Sequence, residues 1–363
     1  MATARKPNPK PDDLLAWYDK HRRRLPWRAL RNQTADPYAI WLSEIMLQQT
    51  TVAAVKAYFE KFMKRWPTVQ DLAASDLDTV LTEWAGLGYY ARARNLHACA
   101  KMIAEEHDGI FPDTEEALLA LPGVGAYTAA AITAIAFGKK AVVLDGNVER
   151  VMARLYAVQE PLPKAKVTLK ALAAGLTTEH RPGDYAQAVM DLGATVCTPK
   201  SPSCVLCPWQ EPCTARSQGI AADLPRKTPK KERPTRRGHC FWLTRRDGAI
   251  LLRRRPEKGL LGGMMEIPSS PWQVEPLDID AARPHAPGVT GRTKWTPLTG
   301  MVSHTLTHFH LELEVHMAKV PDRRAETLGG EHDIVWAHLD DLGNYALPSV
   351  MRKVVKHALK VGY

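Results

Sequence analysis

At 363 residues, and about 150 residues per domain, the chain is long enough for roughly two domains. Hydrophobic residues at 45% and charged residues at 24% sit near globular averages and exclude wholesale disorder. Lys and Arg total 49 against 39 Asp and Glu, a formal net charge of +10 that points to a polyanionic partner. No window reaches the roughly 20 consecutive apolar residues of a membrane span. Met1 to Lys10 lacks the apolar core of a secretory signal, and six cysteines are too few for a disulfide scaffold. A soluble cytoplasmic protein with no membrane partner is expected.

From Pro11 to Ala222 the pattern reads as helix after helix, an all-α domain over 11–222. In Tyr38–Lys64, Trp41, Leu42, Ile45, Met46, Val52, Val55, Tyr58, Phe59 and Phe62 recur at three- and four-residue spacing. Glu44 stands among these apolar residues. On a buried helix its carboxyl would have a raised pKa, as a general acid needs; the plain alternative is a solvated helix face. Leu77, Val80, Leu81 and Trp84, then Leu96, Ala100 and Ile103, continue the helical theme on either side of Gly86-Leu87-Gly88.

Leu121-Pro122-Gly123-Val124-Gly125 joins two helical stretches. Gly123 and Gly125 let backbone N–H groups approach an anion at the start of the second helix, as a DNA phosphate clamp would. Asp145 precedes another helix, where it is either a cap or a functional carboxylate. Cys197, Cys204, Cys207 and Cys213 follow as C-x6-C-x2-C-x5-C. Four thiolates so close together can close around one metal centre, and spacing alone leaves zinc and an iron–sulfur cluster equally open. Cys99 and Cys240 lie far off and are expected to be inert buried thiols.

Residues 223–237 interleave prolines with basic residues and are expected to form an extended, solvated linker, either a plain tether or one that also touches phosphate or a partner protein. After it the period changes. His239–Thr244 and Ala249–Leu252 read as strands around Asp247-Gly248, His308–Val315 as a further strand, and Pro348–Val361 as a closing helix. The second domain, 238–363, is α+β.

Six motifs and their order carry a family resemblance. They are Leu25-Pro26-Trp27-Arg28, Leu42-Ser43-Glu44-Ile45-Met46-Leu47-Gln48-Gln49-Thr50, Gly86-Leu87-Gly88-Tyr89-Tyr90-Ala91-Arg92-Ala93-Arg94-Asn95, Leu121–Gly125, Leu144-Asp145-Gly146-Asn147-Val148 and the cysteine loop. Together they resemble the MutY-type adenine DNA glycosylases of the helix-hairpin-helix superfamily, which includes endonuclease III. The resemblance implies a helix-hairpin-helix glycosylase domain with one 4Fe–4S cluster on the loop 197–213, which decides against zinc. It implies a monomeric repair enzyme acting on double-stranded DNA with adenine opposite 8-oxoguanine or guanine. Bifunctional relatives carry a Schiff-base lysine two places after the second hairpin glycine; Tyr127 stands here, so a monofunctional enzyme is implied.

By the same resemblance Glu44 protonates adenine N7 and Asp145 stabilises the oxocarbenium ion, with Tyr127 and Asn147 in support. Arg23, Trp27, Arg28, Leu47 and Gln187 match the adenine pocket. Gln49 and Tyr89 match residues that probe the stack around 8-oxoguanine, with Gln48 and Thr50 beside them. The second domain resembles a Nudix-like 8-oxoguanine recognition domain, with Gly259–Pro268 matching the Nudix glycine loop. The metal-binding R-E-x-x-E-E segment is missing between Ser269 and Thr299, so nucleotide hydrolysis is not expected. The family's Phe-Ser-His signature reads here as Leu306-Thr307-His308, in which Thr307 keeps the hydroxyl.

Overall fold

The structure is a computed structural model that describes residues 7–30, 33–229, 232–287, 293–320 and 333–362. The N-terminal residues 1–6, Lys230 and Lys231 of the linker, residues 288–292 of the missing-motif stretch and Tyr363 lie outside them. The chain divides into two compact units. One comprises residues 1–74 and 98–230, the other residues 75–97 and 231–363. The segment 75–97, expected within the all-α domain 11–222, thus clusters with the C-terminal sheet. No helix among the described residues is long and apolar enough to cross a membrane.

The first unit is helical. Its helices are α1 (Pro11–His21), α2 (Pro37–Leu47), α3 (Val52–Arg65) and α4 (Val69–Ala74), and, after α5 (Leu77–Trp84) of the second unit and α6 (Ala91–Glu106), which spans the division, α7 (Glu115–Leu119), α8 (Ala126–Ile135), α9 (Gly146–Leu155), α10 (Lys166–Leu176), α11 (Pro182–Thr195) and α12 (Thr214–Ser217). Leu14, Leu15 and Tyr18 pack with Ala130, Ala134, Val151, Met152, Leu169, Val189 and Leu192 in one core. α2 is buried on all sides from Tyr38 to Met46, bar the half-buried Ala39, as a central helix must be. Asp36 caps it, accepting from the Tyr38 N–H, and Pro37 sits at its first position, where no N–H is needed.

The periodic stretch Tyr38–Lys64 is two helices. α2 stops at Leu47, Gln49 turns into the left-handed region at φ 57°, and Thr51 caps α3 by accepting from the Ala54 N–H. Apolar spacing continues across the break because both helices bury apolar residues and pack on each other, which is why periodicity alone hid it.

The second unit is built on a sheet that has seven strands among the described residues. Its strands are β1 (Thr235–Thr244), β2 (Ile250–Arg254), β3 (Met265–Glu266), β4 (Thr296–Pro297), β5 (Val302–Thr305), β6 (His310–Lys319) and β7 (Ile334–Ala337). The order runs β3-β2-β1-β6-β4, with β5 also on β6 and β7 also on β2. β1 and β6 are parallel in register from Thr235↔His310 to Thr244↔Lys319, and β1 meets β2 antiparallel. Along β1, Cys240 and Trp242 face a core shared with Leu311, Leu313 and Val315 and with Val350, Met351 and Val354 of the last helix. The intervening Phe241 and Leu243 are buried on the other face, against α13 (Ile279–Ala282) and against Ala318 and Val320. The last helix, α14 (Ser349–Val361), is strongly amphipathic and covers one face only.

Two boundaries differ from expectation. The basic segment 223–237 is not solvated throughout: Leu224 is buried, Arg154 Nε donates to its carbonyl, and Leu162 exchanges backbone bonds with Arg226 and Thr228. At its other end β1 already begins at Thr235. The strand expected from His308 starts at His310, because Leu306 N–H donates to Phe309 O and closes a tight loop that carries Thr307 and His308.

Candidate active site

Glu44 sits on the third turn of α2, 5% exposed. Its partner is Tyr127, one residue into α8, whose hydroxyl donates to Glu44 Oε2 at 2.7 Å. Burial pushes the Glu44 carboxyl up to about 7; the Tyr127 bond lowers it, the Asp145 charge raises it and the Arg28 charge lowers it. Tyr127 itself is held well above the ordinary phenol range, first by burial and then by the charges of Glu44 and Asp145, so its proton stays in place to be donated.

Asp145 caps α9 and faces the same site. Its Oδ1 accepts from the backbone N–H groups of Asn147 (2.9 Å) and Val148 (2.7 Å), and Oδ2 accepts from Asn147 Nδ2 (2.8 Å). Burial raises its pKa, and these donors and the Arg150 charge oppose the rise without cancelling it. Every hydrogen bond that Asp145 makes uses it as an acceptor on both oxygens, the role of the ionised form. The cap and the functional carboxylate, alternatives in sequence, are one and the same arrangement. Arg150 extends it, donating to Asn147 Oδ1 at 2.8 Å, to Gly193 O and to Cys197 O.

Arg28 and Arg23 converge on a carboxylate that sequence reasoning missed. Asp191 on α11 is fully buried; Arg28 holds it with two guanidinium nitrogens at 2.7 and 2.8 Å, and Arg23 donates through Nε at 2.5 Å and its backbone N–H at 3.0 Å. Burial pushes Asp191 up, yet the two arginines outweigh it and hold it below the carboxylate range. No local signal could have found this group, since its partners lie 163 and 168 residues away.

The other expected residues are placed as follows. Trp27 is buried, its ring edge-on to Phe59 at 5.4 Å, and Leu47 ends α2 half-buried. Gln187 lines a cavity of about 320 Å³ with Tyr18, Arg22, Ile135 and Arg181; Arg23, Trp27, Arg28 and Leu47 are not among its walls. Gln48, Gln49 and Thr50 form the break after α2, with Gln48 donating to Thr128 Oγ1 of α8 at 3.3 Å. Gly123 takes a left-handed φ of 76°, and Gly125 is the N-cap of α8 with open space where a Cβ would stand. The first N–H groups of α8 therefore face outward without a side-chain cap, ready for an anion.

In the second unit, Tyr89 is 44% exposed at a left-handed φ of 50°, beside the Gly88 turn. Thr307 Oγ1 donates to its hydroxyl at 3.1 Å, which brings together two residues 218 positions apart. His308 sits next to Thr307 in the same loop.

Cys197, Cys204, Cys207 and Cys213 are all unpaired and line one cavity with Arg154. Arg154, 1% exposed, fixes the loop by donating to Thr198 O, Pro199 O and Cys197 Sγ. No three of the four sulfurs lie within 4.8 Å of one another, whereas a zinc–thiolate tetrahedron with bonds of about 2.3 Å has edges near 3.8 Å. Four sulfurs spread around a cavity suit a multinuclear cluster. Burial raises the Cys207 thiol to about 12 and raises Cys213, so a bound cation is what would draw them into the thiolate form.

The fold and site define a base-excision DNA glycosylase with an appended Nudix-type domain. Residues 42–175 match the HhH-GPD superfamily of base excision DNA repair proteins, and residues 239–357 match the NUDIX domain family. The adenine DNA glycosylase of Homo sapiens is 38% identical over 84% of this chain and 65% of its own length; that of Mus musculus is 36% identical over 95% and 76%. The chain belongs to the adenine DNA glycosylase family. A solved thermostable thymine-DNA glycosylase matches 57% of this chain and 95% of its own, at 31% identity and a TM-score of 0.51.

Proposed function

We propose that this enzyme excises adenine paired with 8-oxoguanine or guanine in double-stranded DNA, with Glu44 as general acid and Asp145 as the anion that stabilises the sugar cation. The observation that carries this reading is the buried Tyr127–Glu44 hydrogen bond beside the capped Asp145. Tyr127 donates to Oε2, so the proton of the neutral acid resides on Oε1, free to pass to adenine N7. A carboxyl whose pKa lies near 7 is matched to that transfer at neutral pH. Once the N-glycosidic bond lengthens, positive charge grows on the sugar, and Asp145 meets it as a fixed anion held by three N–H donors. Two carboxylates in environments that separate their roles is the acid/anion division that glycoside cleavage needs. Tyr127 carries no amine and is committed to Glu44, which supports hydrolysis without strand cleavage.

Adenine must leave the stack, at a cost of roughly a few kcal/mol. The uncapped start of α8 holds a phosphate, and the Gln48–Thr50 break and Tyr89 contact the opened duplex. Thr307 and His308 read the 8-oxoguanine partner. The cysteines 197, 204, 207 and 213 hold one 4Fe–4S cluster, which when bound supplies a rigid cross-link and an electron-accepting centre; Arg154 and Arg150 tie its loop to α9. The enzyme works as a monomer in the cytoplasm, associated with the chromosome, and exposed residues of the basic segment contact other repair proteins.

The test is single-turnover excision from an adenine:8-oxoguanine duplex by Glu44→Gln. The amide keeps the shape and lacks the proton, so excision is expected to slow by about 10²–10⁴ with duplex affinity retained. A rate near the parent's would remove Glu44 from the acid role.

A further inference from the structure

One group of chemistry-bearing side chains in the second unit has no part in adenine excision. Parallel pairing of β1 and β6 sets His239 opposite Glu314 and Phe241 opposite His316. Strand alternation turns His239, Glu314 and His316 to the face away from Cys240 and Trp242. His239 Nδ1 lies 3.0 Å from His316 Nε2 and 3.5 Å from Glu314 Oε2, and His316 Nε2 lies 3.8 Å from that same oxygen. A tetrahedral zinc with bonds of about 2.0–2.1 Å has ligand edges near 3.3–3.4 Å, so this triangle brackets the required size.

The tautomer fits as well. His239 Nε2 lies 2.8 Å from Leu277 O. A carbonyl only accepts, so Nε2 carries the hydrogen and Nδ1 presents its lone pair to the triangle. Metal-ligating histidines are oriented by such an outer hydrogen bond. Both rings are buried, while the Glu314 side chain is 56% exposed, leaving an entry path and room for water on the carboxylate side. Arg283 is the cation whose charge reaches His316. Arg283 itself pairs with Asp280.

We propose that His239, Glu314 and His316 form a zinc(II) site, with water as fourth ligand, that staples the parallel strands β1 and β6. In its absence the His316 Nε2 hydrogen bonds to His239 Nδ1.

The test uses the full chain carrying its complete iron content, stripped of loosely held divalent ions with a mild chelator and equilibrated with micromolar zinc. Elemental analysis is expected to find one zinc per chain at unchanged iron, and zinc to raise the melting temperature. His316→Gln is expected to lose that zinc and the melting shift. Glu314→Gln, a change at an exposed side chain that keeps the fold safe, is expected to weaken zinc binding at least about tenfold. No zinc bound by the parent, or equal zinc binding by Glu314→Gln and the parent, overturns the proposal.

Discussion

Glu44 in one unit of the molecule and Glu266 in the other are both buried, and the two are compensated in opposite ways. Glu266, 1% exposed at the end of β3, receives Arg253 through two nitrogens at 3.0 and 2.6 Å, Arg255, and the Ser269 hydroxyl at 3.1 Å. Glu44, 5% exposed, receives one tyrosine hydroxyl, while the nearby guanidinium of Arg28 is turned to Asp191. A buried carboxylate with full compensation is a fastener; one denied a cation is held ready to take up a proton. The helical unit turns Arg23 and Arg28 to Asp191, which leaves Glu44 without a direct cation partner and protonatable.

The sharpest way to break this contrast is Glu266→Ala. Removing one member of a buried charged cluster costs about 3–5 kcal/mol, and the partial exposure of Arg253 and Arg255 puts the expectation at the lower end. Denaturant midpoints measure it; a loss under about 1 kcal/mol would show that Glu266 fastens nothing.

Glu44→Gln should move stability the other way. The folded pKa near 7 exceeds the ordinary 4.5, so the folded state binds the proton more tightly and its stability falls as pH rises from about 4.5 to 7. At about 1.4 kcal/mol per pH unit over some 2.5 units, the amide variant should gain about 3–3.5 kcal/mol over the parent by pH 8, and almost nothing at pH 4. Melting curves at both pH values decide; a pH-independent difference would contradict the desolvated carboxyl.

Thr307→Ala probes the second unit. Loss of a neutral hydrogen bond of about 0.5–1.5 kcal/mol should lower the preference for 8-oxoguanine over guanine by roughly two- to tenfold, with non-specific binding and its salt dependence unchanged. Paired dissociation constants at one salt concentration report it, and an unchanged preference would move recognition elsewhere.

Tyr127→Phe is the finest probe. Its hydroxyl lowers the Glu44 pKa, so the variant should shift the alkaline limb of excision upward by less than about one pH unit. An unmoved limb would uncouple Tyr127 from the acid.

Much of this was legible in the chain. Glu44 among apolar neighbours announced its own desolvation, and Asp145 before a helix announced its cap. The cysteine spacing announced a loop that gathers four thiols around one cavity. What escaped was whatever depended on distant partners. Asp191 looks like any helical aspartate until Arg23 and Arg28 fold onto it. The break at Gln49 hid because apolar periodicity says which face is buried and not whether the backbone is continuous. Tyr89 and Thr307 were expected in one task from separate motifs, yet their hydrogen bond is a product of the fold alone.

The segment 75–97 gives the chain a timing problem during synthesis. Arg254 grips Asp78 through both guanidinium nitrogens at 2.7 and 2.6 Å, and Arg94 donates to Gly262 O at 2.6 Å; these partners stand 176 and 168 residues apart. At a ribosomal speed of about 5–20 residues per second, α5 emerges roughly 10–35 s before the strand that secures it. Both flanking pieces of the helical unit are made in that interval, while Arg254 and Gly262, which bond the segment 75–97, are still to come. Nascent chains stalled between Lys227 and Arg254 should therefore carry a folded active site whose 75–97 segment is still open to protease.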